Sequence, residues 1–374
     1  MTPIKTDILI IGGGIAGCIA AIALIDTHTV TLIDKLEHPR ERIGESLAPA
    51  AQRILKELDL LDDLQSHQEQ LHIQNFGMQS YWGSDQVHIV DHLRNPDGLS
   101  LSLDRKKFEN YLRKTAKKRG VRCLWSTKLH HSTFEANQWL VTTTSDVYNK
   151  QHIKARFVID ATGRQSHFAR SRGIKRIHLD KLMTCWMTLP NTETNKMSTI
   201  AATENGWWYS TVIPNNKRVI AFQTDSDLID KHIFKDLTSF IKIAKENTQI
   251  AAILENNKDA IQFHGTVAAN STRLEHVTGQ QWAALGDAAI SFDPLSSQGM
   301  FHAMANAMQL KTLLLDVNIV DAYTTQKEDI FQKTYTQQLN DIWDQYLHHK
   351  NLFYSAETRW KEKPFWKRRH INSL

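Results

Sequence analysis

The chain has 374 residues, enough for two domains or for one large domain with a second sheet attached to it. Its formal charge of +5 would permit an acidic partner, but basic and acidic residues are interspersed, so nucleic-acid binding is not implied. The three cysteines form no CxxC pair and no apolar run reaches the length of a membrane span, which predicts a soluble cytoplasmic protein without disulfides or a metal site.

The first motif is a strand followed by a glycine-rich turn and a helix. Residues 6–11 are almost continuously apolar, as in a strand covered on both faces, and an Ala- and Ile-rich helix follows the turn. Gly12 permits the tight turn, Gly14 lets a pyrophosphate approach the backbone, and Gly17 lets helix and strand pack closely. The next strand ends at Asp34, where a carboxylate would hold ribose hydroxyls. The pattern predicts a dinucleotide site, and the alternative is a turn without a ligand.

Later elements alternate between helices and short strands. The predicted helices cover residues 50–61, 104–120 and 231–255, and the chain after Gly299 is mainly helical. The predicted strands lie at residues 76–82, 87–90, 121–125, 139–143, 155–160, 184–189, 206–214, 218–224 and 261–268. Several of these strands follow one another without helices, which predicts an antiparallel sheet with a hairpin turn at Asn215-Asn216. The basic residues of helix 104–120, Arg113 among them, are interpreted as a solvated face.

A second set of motifs lies far along the chain. The strand 158–160 ends in a tight turn at Gly163, which would allow close approach of the backbone to a dinucleotide. Another buried strand ends just before Asp287, whose carboxylate would accept from ribityl hydroxyls, because buried hydroxyls need partners. After a turn at Asp293-Pro294, a helix begins at Ser297 to Gly299, and its free N–H groups suit the electron-rich edge of a reduced flavin. Together with the first motif, these segments predict bound FAD.

The order of these motifs resembles that of the aromatic-hydroxylase superfamily of FAD monooxygenases, which includes the flavin-dependent halogenases. The resemblance runs from about residue 6 to the end of the chain, and its segments are the GxGxxG turn, Arg42 to Ser46, Leu103 to Arg105, Asp160 to Gly163, Gly286-Asp287 and Asp293 to Gly299. The residues that are expected to hold FAD are Gly12, Gly14, Ile15, Ala16, Gly17, Asp34, Lys35, Arg42, Glu45, Ser46, Arg105, Asp160, Ala161, Gly163, Gly286, Asp287, Pro294, Ser297, Gln298, Gly299 and Met300.

Two aromatic stretches resemble more narrowly the LodB/GoxB group of flavoproteins. They are Gly206 to Ser210, and Glu357 to Trp360 with Pro364 to Trp366. Members of that group act on a partner protein, an amino-acid oxidase, to mature its cysteine tryptophylquinone. The chain departs from the halogenases, because residues 207–214 are spaced differently from their WxWxIP signature and residues 76–82 contain no lysine. Halogenation is therefore disfavoured.

The resemblance implies an FAD-dependent monooxygenase that hydroxylates a tryptophan side chain in the precursor of such an oxidase. Molecular oxygen would be the second substrate, and NAD(P)H or another electron donor would visit transiently, since the chain has a single GxGxxG. Trp207, Trp208, Tyr209 and His264 are candidate site-lining residues, with a place in the core as the alternative. No catalytic base is identified. A monooxygenase of a small aromatic or indole substrate and a non-catalytic flavin-binding assembly factor are the alternative functions.

The predicted fold class is α/β (α+β), with a Rossmann-like FAD-binding domain interleaved with an antiparallel-sheet domain and followed by helices. The FAD-binding domain is expected at 1–75, 100–180 and 270–320, the substrate-side sheet at 76–99 and 181–269, and the helical C-terminal region at 321–374. Seven aromatic residues of that region would form either a docking surface for a partner or an arm packed on the protein itself. They are Trp343, Tyr346, Phe353, Tyr354, Trp360, Phe365 and Trp366.

Overall fold

The computed structural model describes residues 2–67, 70–145, 150–228, 234–255 and 260–371. The strands are β1 (Ile4–Ile11), β2 (Val30–Ile33), β3 (Ser46–Leu47), β4 (His72–Asn75), β5 (Gly77–Tyr81), β6 (His88–Asp91), β7 (Ser100–Leu103), β8 (Arg122–Leu124), β9 (Thr127–Glu135), β10 (Gln138–Ser145), β11 (Gln151–Asp160), β12 (Arg176–His178), β13 (Leu182–Pro190), β14 (Ser198–Thr203), β15 (Gly206–Ile213), β16 (Lys217–Asp225), β17 (Gln262–Ala268), β18 (Thr272–Leu274), β19 (Thr278–Gly279), β20 (Trp282–Ala284) and β21 (Ile290–Ser291). The α-helices are α1 (Ile15–Leu24), α2 (Ala51–Glu57), α3 (Leu61–Ser66), α4 (Arg105–Lys118), α5 (His167–Ser171), α6 (Leu237–Ala244), α7 (Thr248–Glu255), α8 (Gly299–Val317), α9 (Thr325–Ser355) and α10 (Pro364–Ile371).

The parallel part of the first sheet explains why both sets of motifs belong to one site. Strand β1 lies between β11 and β2, β20 pairs with the far side of β11, and β8 pairs with the far side of β2, all in parallel. The backbone N–H groups of Gly12, Ala161 and Leu285 each donate, at 2.8 Å, to the last carbonyl of the neighbouring strand. The loops that follow these strands therefore meet at the carboxyl edge of the sheet, where ligands of open α/β folds bind.

One long strand of this sheet was not expected. Strand β9 pairs with β10, and β10 pairs with β11, both in antiparallel fashion. The pairing of β9 and β10 contains a bulge between Thr142 and Thr143. Strand β9 carries His130-His131 and Lys128 among few apolar residues, so its sequence lacks the alternation that predicts a strand.

The second large sheet has seven strands in the order β17-β13-β16-β15-β14-β5-β6. Its strands pair in antiparallel fashion except for β14 and β5. The predicted hairpin between β15 and β16 is confirmed, with left-handed φ values of 65° at Asn215 and 51° at Asn216. One face packs under α6 and α7, and we call the opposite face, which carries Trp186 and Tyr209, the inner face of the sheet.

The C-terminal helices cover one end of the inner face. Five of the seven aromatic residues that were considered for docking are buried, so they cannot form an exposed surface; these are Trp343, Tyr346, Tyr354, Phe365 and Trp366. Trp207 of the sheet packs in the same cluster as Tyr354 and Trp366. Phe353 is 56% exposed. The docking interpretation is therefore wrong for the buried residues, because burying aromatic area against the sheet stabilises the arm itself.

The predicted fold class is confirmed: a parallel α/β sheet is interleaved with an antiparallel sheet and followed by helices. The domain boundaries stay a prediction. The expected helix over 231–255 is two helices, α6 and α7, and its first residues, 231–233, lie outside the described part of the chain. Within the described ranges, none of the helices combines the length and the apolar content that crossing a bilayer requires.

Candidate active site

In the glycine-rich turn, the surrounding backbone excludes a Cβ at Gly12 and Gly17, whereas the Cβ position of Gly14 is open. A Cβ atom at Gly12, where φ is +113°, would lie 2.2 Å from the carbonyl oxygen of Ala161, and one at Gly17 would lie 1.9 Å from that of Gly12. A Cβ at Gly14 would have no atom within 4 Å. Helix α1 begins directly after Gly14 with no side-chain cap and no acidic residue in its first turn, which contains Ile15 and Ala16. Its free N–H groups therefore face space that suits a phosphate.

Asp34 lies beside this turn, at the end of β2. Its Oδ2 accepts from the backbone N–H of Gly13 at 2.6 Å, and its Oδ1 accepts from that of Leu36 at 2.7 Å. The Arg113 guanidinium is 3.2 Å from Oδ2 and also donates to the Gly13 carbonyl at 2.8 Å. These contacts orient the Asp34 carboxylate at the position expected for a ribose ligand.

Arg113 corrects the interpretation of the basic helix. It is 4% exposed and stacks over Trp125, with its Cζ 4.4 Å from the ring centroid. Buried arginines need several acceptors, and Arg113 finds them in Asp34 and in the backbone carbonyls of Gly13 and Leu36. The sequence signal that could have predicted this burial is the position of Arg113, four residues after Glu109 and at the edge of the apolar stripe of α4. Glu109 is buried as well.

Asp160 has a different role from the one predicted. It is 0% exposed, and its Oδ1 accepts from the N–H and the hydroxyl of Thr162 at 3.0 and 2.6 Å. Its Oδ2 accepts from the backbone N–H of Ala169 at 2.9 Å. Burial raises the pKa of this carboxyl, and the hydrogen bonds oppose that rise. Because the carboxyl is fully buried beneath the loop that it holds, its side chain has no surface open to a cofactor, and its assignment as a cofactor ligand is corrected.

The loop that Asp160 holds comes close to the first motif. Gly163 has a φ of +66° and open space at its Cβ position, and Lys35 donates to Gln165 at 3.0 Å. Arg164, which was not predicted, donates to the carbonyls of Asn270 and Phe292 at 2.6 and 3.0 Å. It thereby ties this loop to the second half of the site.

Close packing and hydrogen bonds fix the backbone of the Gly286-Asp287 turn. A Cβ at Gly286 would lie 3.0 Å from the Cβ of Ala16, and the Gly286 N–H donates to Asn306 at 3.0 Å. Arg176 donates to the Asp287 carbonyl at 2.6 Å, and burial lowers the pKa of this arginine to about 10. The Asp287 carboxylate itself is 44% exposed. The backbone is fixed and the carboxylate stays accessible, as a ribityl ligand requires.

Helix α8 begins where the sequence predicted, after a short 3-10 turn, Pro294–Ser296. Ser297 has a left-handed φ of 49°, Gln298 precedes the helix without a side-chain cap, and the Cβ position of Gly299 is open. Met300, by contrast, is 7% exposed and packs in the core, so its side chain does not face a ligand. The open backbone at Gly299 makes the positive end of α8 available to an anion.

The loop before β3 brings a buried carboxyl to the other side of the site. Arg42 is exposed and Ser46 is half-buried, whereas Glu45 is 2% exposed and accepts from the Gly44 N–H at 2.9 Å. Burial raises the pKa of Glu45, while backbone hydrogen bonds, the Tyr209 hydroxyl and the charge of Arg105 oppose this rise.

Arg105 supports the same loop. It donates to the Gly44 carbonyl at 2.5 Å and to Glu109 at 2.7 Å. Its Nε is buried and has no hydrogen-bond partner among the described residues. A buried donor without a partner is costly, so a ligand acceptor in this place would stabilise the site.

The four candidate lining residues do not share one surface. Trp208 lies on the face under α6, where its ring is 5.4 Å from that of Phe240, so it belongs to the core. Trp207 is on the inner face, but it is 2% exposed and its Nε1 donates to the Tyr354 hydroxyl at 3.2 Å. Both are corrected to core positions, because neighbouring residues of a strand point to opposite faces and the C-terminal arm covers Trp207.

Tyr209 and His264 remain candidates. Tyr209 is on the inner face, and the pKa of its hydroxyl is raised by burial and then by the charge of Glu45. His264 stacks on Trp186, with ring centroids 3.8 Å apart and planes 10° from parallel, and its Nε2 is 2.9 Å from the Thr188 hydroxyl. Burial lowers the pKa of His264, so the ring is neutral at neutral pH. Trp186, which sequence reasoning missed, packs with Ile43 of the Glu45 loop.

The residues present fit a flavin dinucleotide. Open backbone at Gly14 suits a pyrophosphate, the oriented Asp34 suits a ribose, and open backbone at Gly299 suits the electron-rich edge of the ring. The fold and this site define a flavoprotein oxidoreductase.

The comparison with known families makes the assignment particular. The chain belongs to the FAD binding domain family, whose model matches residues 5–341. It is thus an FAD-dependent oxidoreductase, and FAD is its cofactor.

Three proteins are similar to this chain in sequence or in fold. LodB of Marinomonas mediterranea, described as an FAD-dependent oxidoreductase, is 26% identical over 98% of this chain and 97% of its own. The flavin-dependent halogenase CmlS has the same fold, with a TM-score of 0.82, 22% identity and coverage of 99% of this chain and 68% of its own. QhpG, described as a peptidyl tryptophan dihydroxylase essential for tryptophylquinone cofactor biogenesis, has a TM-score of 0.78, 19% identity and coverage of 98% and 78%.

Proposed function

We propose that this protein hydroxylates a tryptophan side chain of a partner polypeptide, the precursor of an amino-acid oxidase that contains cysteine tryptophylquinone. The observation that carries the proposal is the similarity to LodB over nearly the full length of both chains. The fold shared with QhpG, whose described activity is dihydroxylation of peptidyl tryptophan, supports it. We place the reaction in the cytoplasm, where the free thiols of Cys18, Cys123 and Cys185 stay reduced.

The chain's own residues bind the cofactor, orient the reacting groups and exclude water. Bound FAD supplies the oxygen chemistry, as cofactors generally supply the difficult step. The N–H groups after Gly14 and those at the start of α8 attract the anionic parts of the cofactor. Val219 and Ala221, together with Trp186, form an apolar surface against Ile43, which keeps water from the reacting ring. Indole is electron-rich enough to accept oxygen without a strong base, so the site needs no catalytic dyad.

The sheet supports hydroxylation over halogenation. Strand β5 and its flanks, residues 76–82, have no lysine, which the halogenases use to direct hypohalous acid. Counting back from Ile213-Pro214, the two tryptophan positions of the halogenase signature carry Tyr209 and Thr211. Thr211 is buried and accepts from Ser198 at 2.9 Å. Polar, hydrogen-bonded residues thus replace two large indoles.

Coexpression tests the proposal. The candidate oxidase precursor is produced with the wild-type protein, with the Gly14→Val variant and alone, and its tryptophan-containing peptides are analysed by mass spectrometry. We expect added oxygen on one tryptophan only in the sample that was produced with the wild-type protein. Maturation that persists with a flavin-free Gly14→Val variant would favour an assembly factor, and turnover of free tryptophan or indole without the precursor would favour a small-molecule monooxygenase.

A further inference from the structure

Two buried polar atoms on the inner face of the sheet have no hydrogen-bond partner among the described residues. They are Nε1 of Trp186, a donor, and Oε1 of Gln223, an acceptor. Trp186 is 5% exposed and Gln223 is 2% exposed. An unpaired buried donor or acceptor is costly, so two together on one face require an explanation.

The two side chains are neighbours across adjacent strands. In the pairing of β13 with β16, Trp186 lies opposite Ala221 and Thr184 lies opposite Gln223. Trp186 and Gln223 are therefore diagonal positions on the same face, about 7–8 Å apart by the usual sheet spacing. Both unpaired atoms therefore belong to neighbouring side chains on one face of the sheet.

The surroundings of Trp186 place its indole near the Glu45 loop. Its ring packs with Val219 and Ala221 and meets Ile43, two residues before the buried Glu45. The parallel stack on His264 supports the opposite side of the indole and limits its rotation. The Nε1–H group thus has a fixed direction before any ligand arrives.

We propose that Trp186 and Gln223 form a recognition pair that binds one carbonyl oxygen and one N–H group of a planar ligand between the sheet and the Glu45 loop. Trp186 donates to the carbonyl oxygen, and Gln223 accepts from the N–H. Two ligands of the proposed reaction carry both groups: the isoalloxazine ring of FAD and a tryptophan residue within a polypeptide. The assignment to the second ligand rests on the proposed function, and the assignment to the first does not.

Conservative variants isolate the two hydrogen bonds. Trp186→Phe keeps an aromatic ring and loses the N–H, and Gln223→Leu keeps the side-chain length and loses the amide. Trp208→Phe is the matched control, because Trp208 is equally buried in the same sheet but lies on the opposite face. Circular dichroism and thermal unfolding select the variants that are folded like the wild type.

Binding is measured with two probes. The first is FAD, titrated into apoprotein and followed by flavin fluorescence. The second is N-acetyltryptophanamide, together with its 1-methylindole analogue, titrated into the FAD-loaded protein and followed by the flavin absorbance spectrum. We expect Trp186→Phe and Gln223→Leu each to weaken the binding of one of the two ligands by about 3- to 10-fold, the size of one net hydrogen bond. Trp208→Phe should bind both ligands as the wild type does.

The pattern identifies the ligand. If Trp186→Phe and Gln223→Leu both bind FAD more weakly than the wild type, the recognition pair binds the isoalloxazine ring. Unchanged FAD binding with weaker binding of N-acetyltryptophanamide assigns it to the substrate, and the wild-type preference for this probe over its 1-methyl analogue should then disappear in Gln223→Leu. Affinities for both ligands that match those of Trp208→Phe overturn the proposal. A wild type that shows the expected binding but leaves the oxidase precursor unoxygenated refutes the proposed function and leaves the recognition pair intact.

Discussion

The glycine-rich turn and the seven-stranded sheet build the site in opposite ways. At the turn the backbone is the binding group, and Gly12 and Gly17 are required because any Cβ would collide with a carbonyl oxygen. On the sheet the side chains are the binding groups, and Trp207 and Trp208, adjacent in sequence, lie on opposite faces. A site made of backbone can be predicted from residue type, whereas a site made of side chains depends on strand register and on which elements cover each face of the sheet.

The largest expected effect on FAD binding tests the backbone half. Gly14→Val should weaken FAD binding by about 100-fold or more, because the valine side chain fills the space in front of α1 at a cost of about 3 kcal/mol. Stability should change little, since the Cβ meets no protein atom. Flavin titration and thermal unfolding measure the two quantities. Gly17→Val is the contrasting variant and should unfold the protein, and retention of full FAD by Gly14→Val would show that the pyrophosphate lies elsewhere.

The next effect tests the face assignment on the sheet. Trp208→Ala should lower the free energy of unfolding by about 4 kcal/mol, the usual cost of a cavity left by a buried aromatic ring, and should leave FAD affinity unchanged. Chemical denaturation and flavin titration provide the measurements. Tyr209→Phe, one position further on the inner face, is the comparison. Loss of FAD affinity in Trp208→Ala at a temperature where the variant is fully folded would contradict its core position.

Arg113 tests the connection between the helix and the turn. Arg113→Met should lower the free energy of unfolding by about 3 kcal/mol, because Asp34 and the Gly13 carbonyl each lose a donor in a buried place. FAD affinity should fall as well, since Asp34 is no longer oriented. Lys114→Met, on the exposed side of the same helix, is the control and should match the wild type. Equal stability of the two variants would restore the interpretation of a solvated basic face.

The same comparison explains which parts of the molecule were predictable. The loops after β1, β2, β11 and β20 were recognised because buried parallel strands are continuous apolar runs and their ends share one edge. Strand β9 was missed because it lacks alternation, and the break between α6 and α7 because both are amphipathic at the same period.

The site residues that escaped prediction share one physical cause. Arg113 and Arg176 are polar residues whose hydrogen-bond partners lie far along the chain, and no local pattern reports such partners. Asp160 shows the converse, because its position after a strand suggested a ligand role while the loop beyond it uses both oxygens. Long-range contacts, absent from any sequence window, decided the places of both arginines.

The smallest expected effect concerns Glu45, where the two halves of the site meet. Burial raises the pKa of its carboxyl above the usual value, so the folded state holds the proton more tightly than the unfolded state does. Between the usual and the raised pKa, the free energy of unfolding therefore falls as pH rises, and the stability is regained as pH falls through the raised pKa. Glu45→Gln should remove this fall and be slightly more stable than the wild type at neutral pH.

Denaturant titrations of the apoprotein across the acidic to neutral range measure this difference. The free energy of unfolding of Glu45→Gln is subtracted from that of the wild type at each pH. This difference cancels the contributions of Asp160 and Asp293, whose pKa values burial also raises. Glu41→Gln, in the exposed part of the same loop, is the control and should keep the wild-type slope. A Glu45→Gln curve parallel to that of the wild type would mean that Glu45 stays ionised in the folded apoprotein. The contacts from Tyr209 and Arg105 would then outweigh burial, and the sheet and the flavin loop would be coupled through a charge.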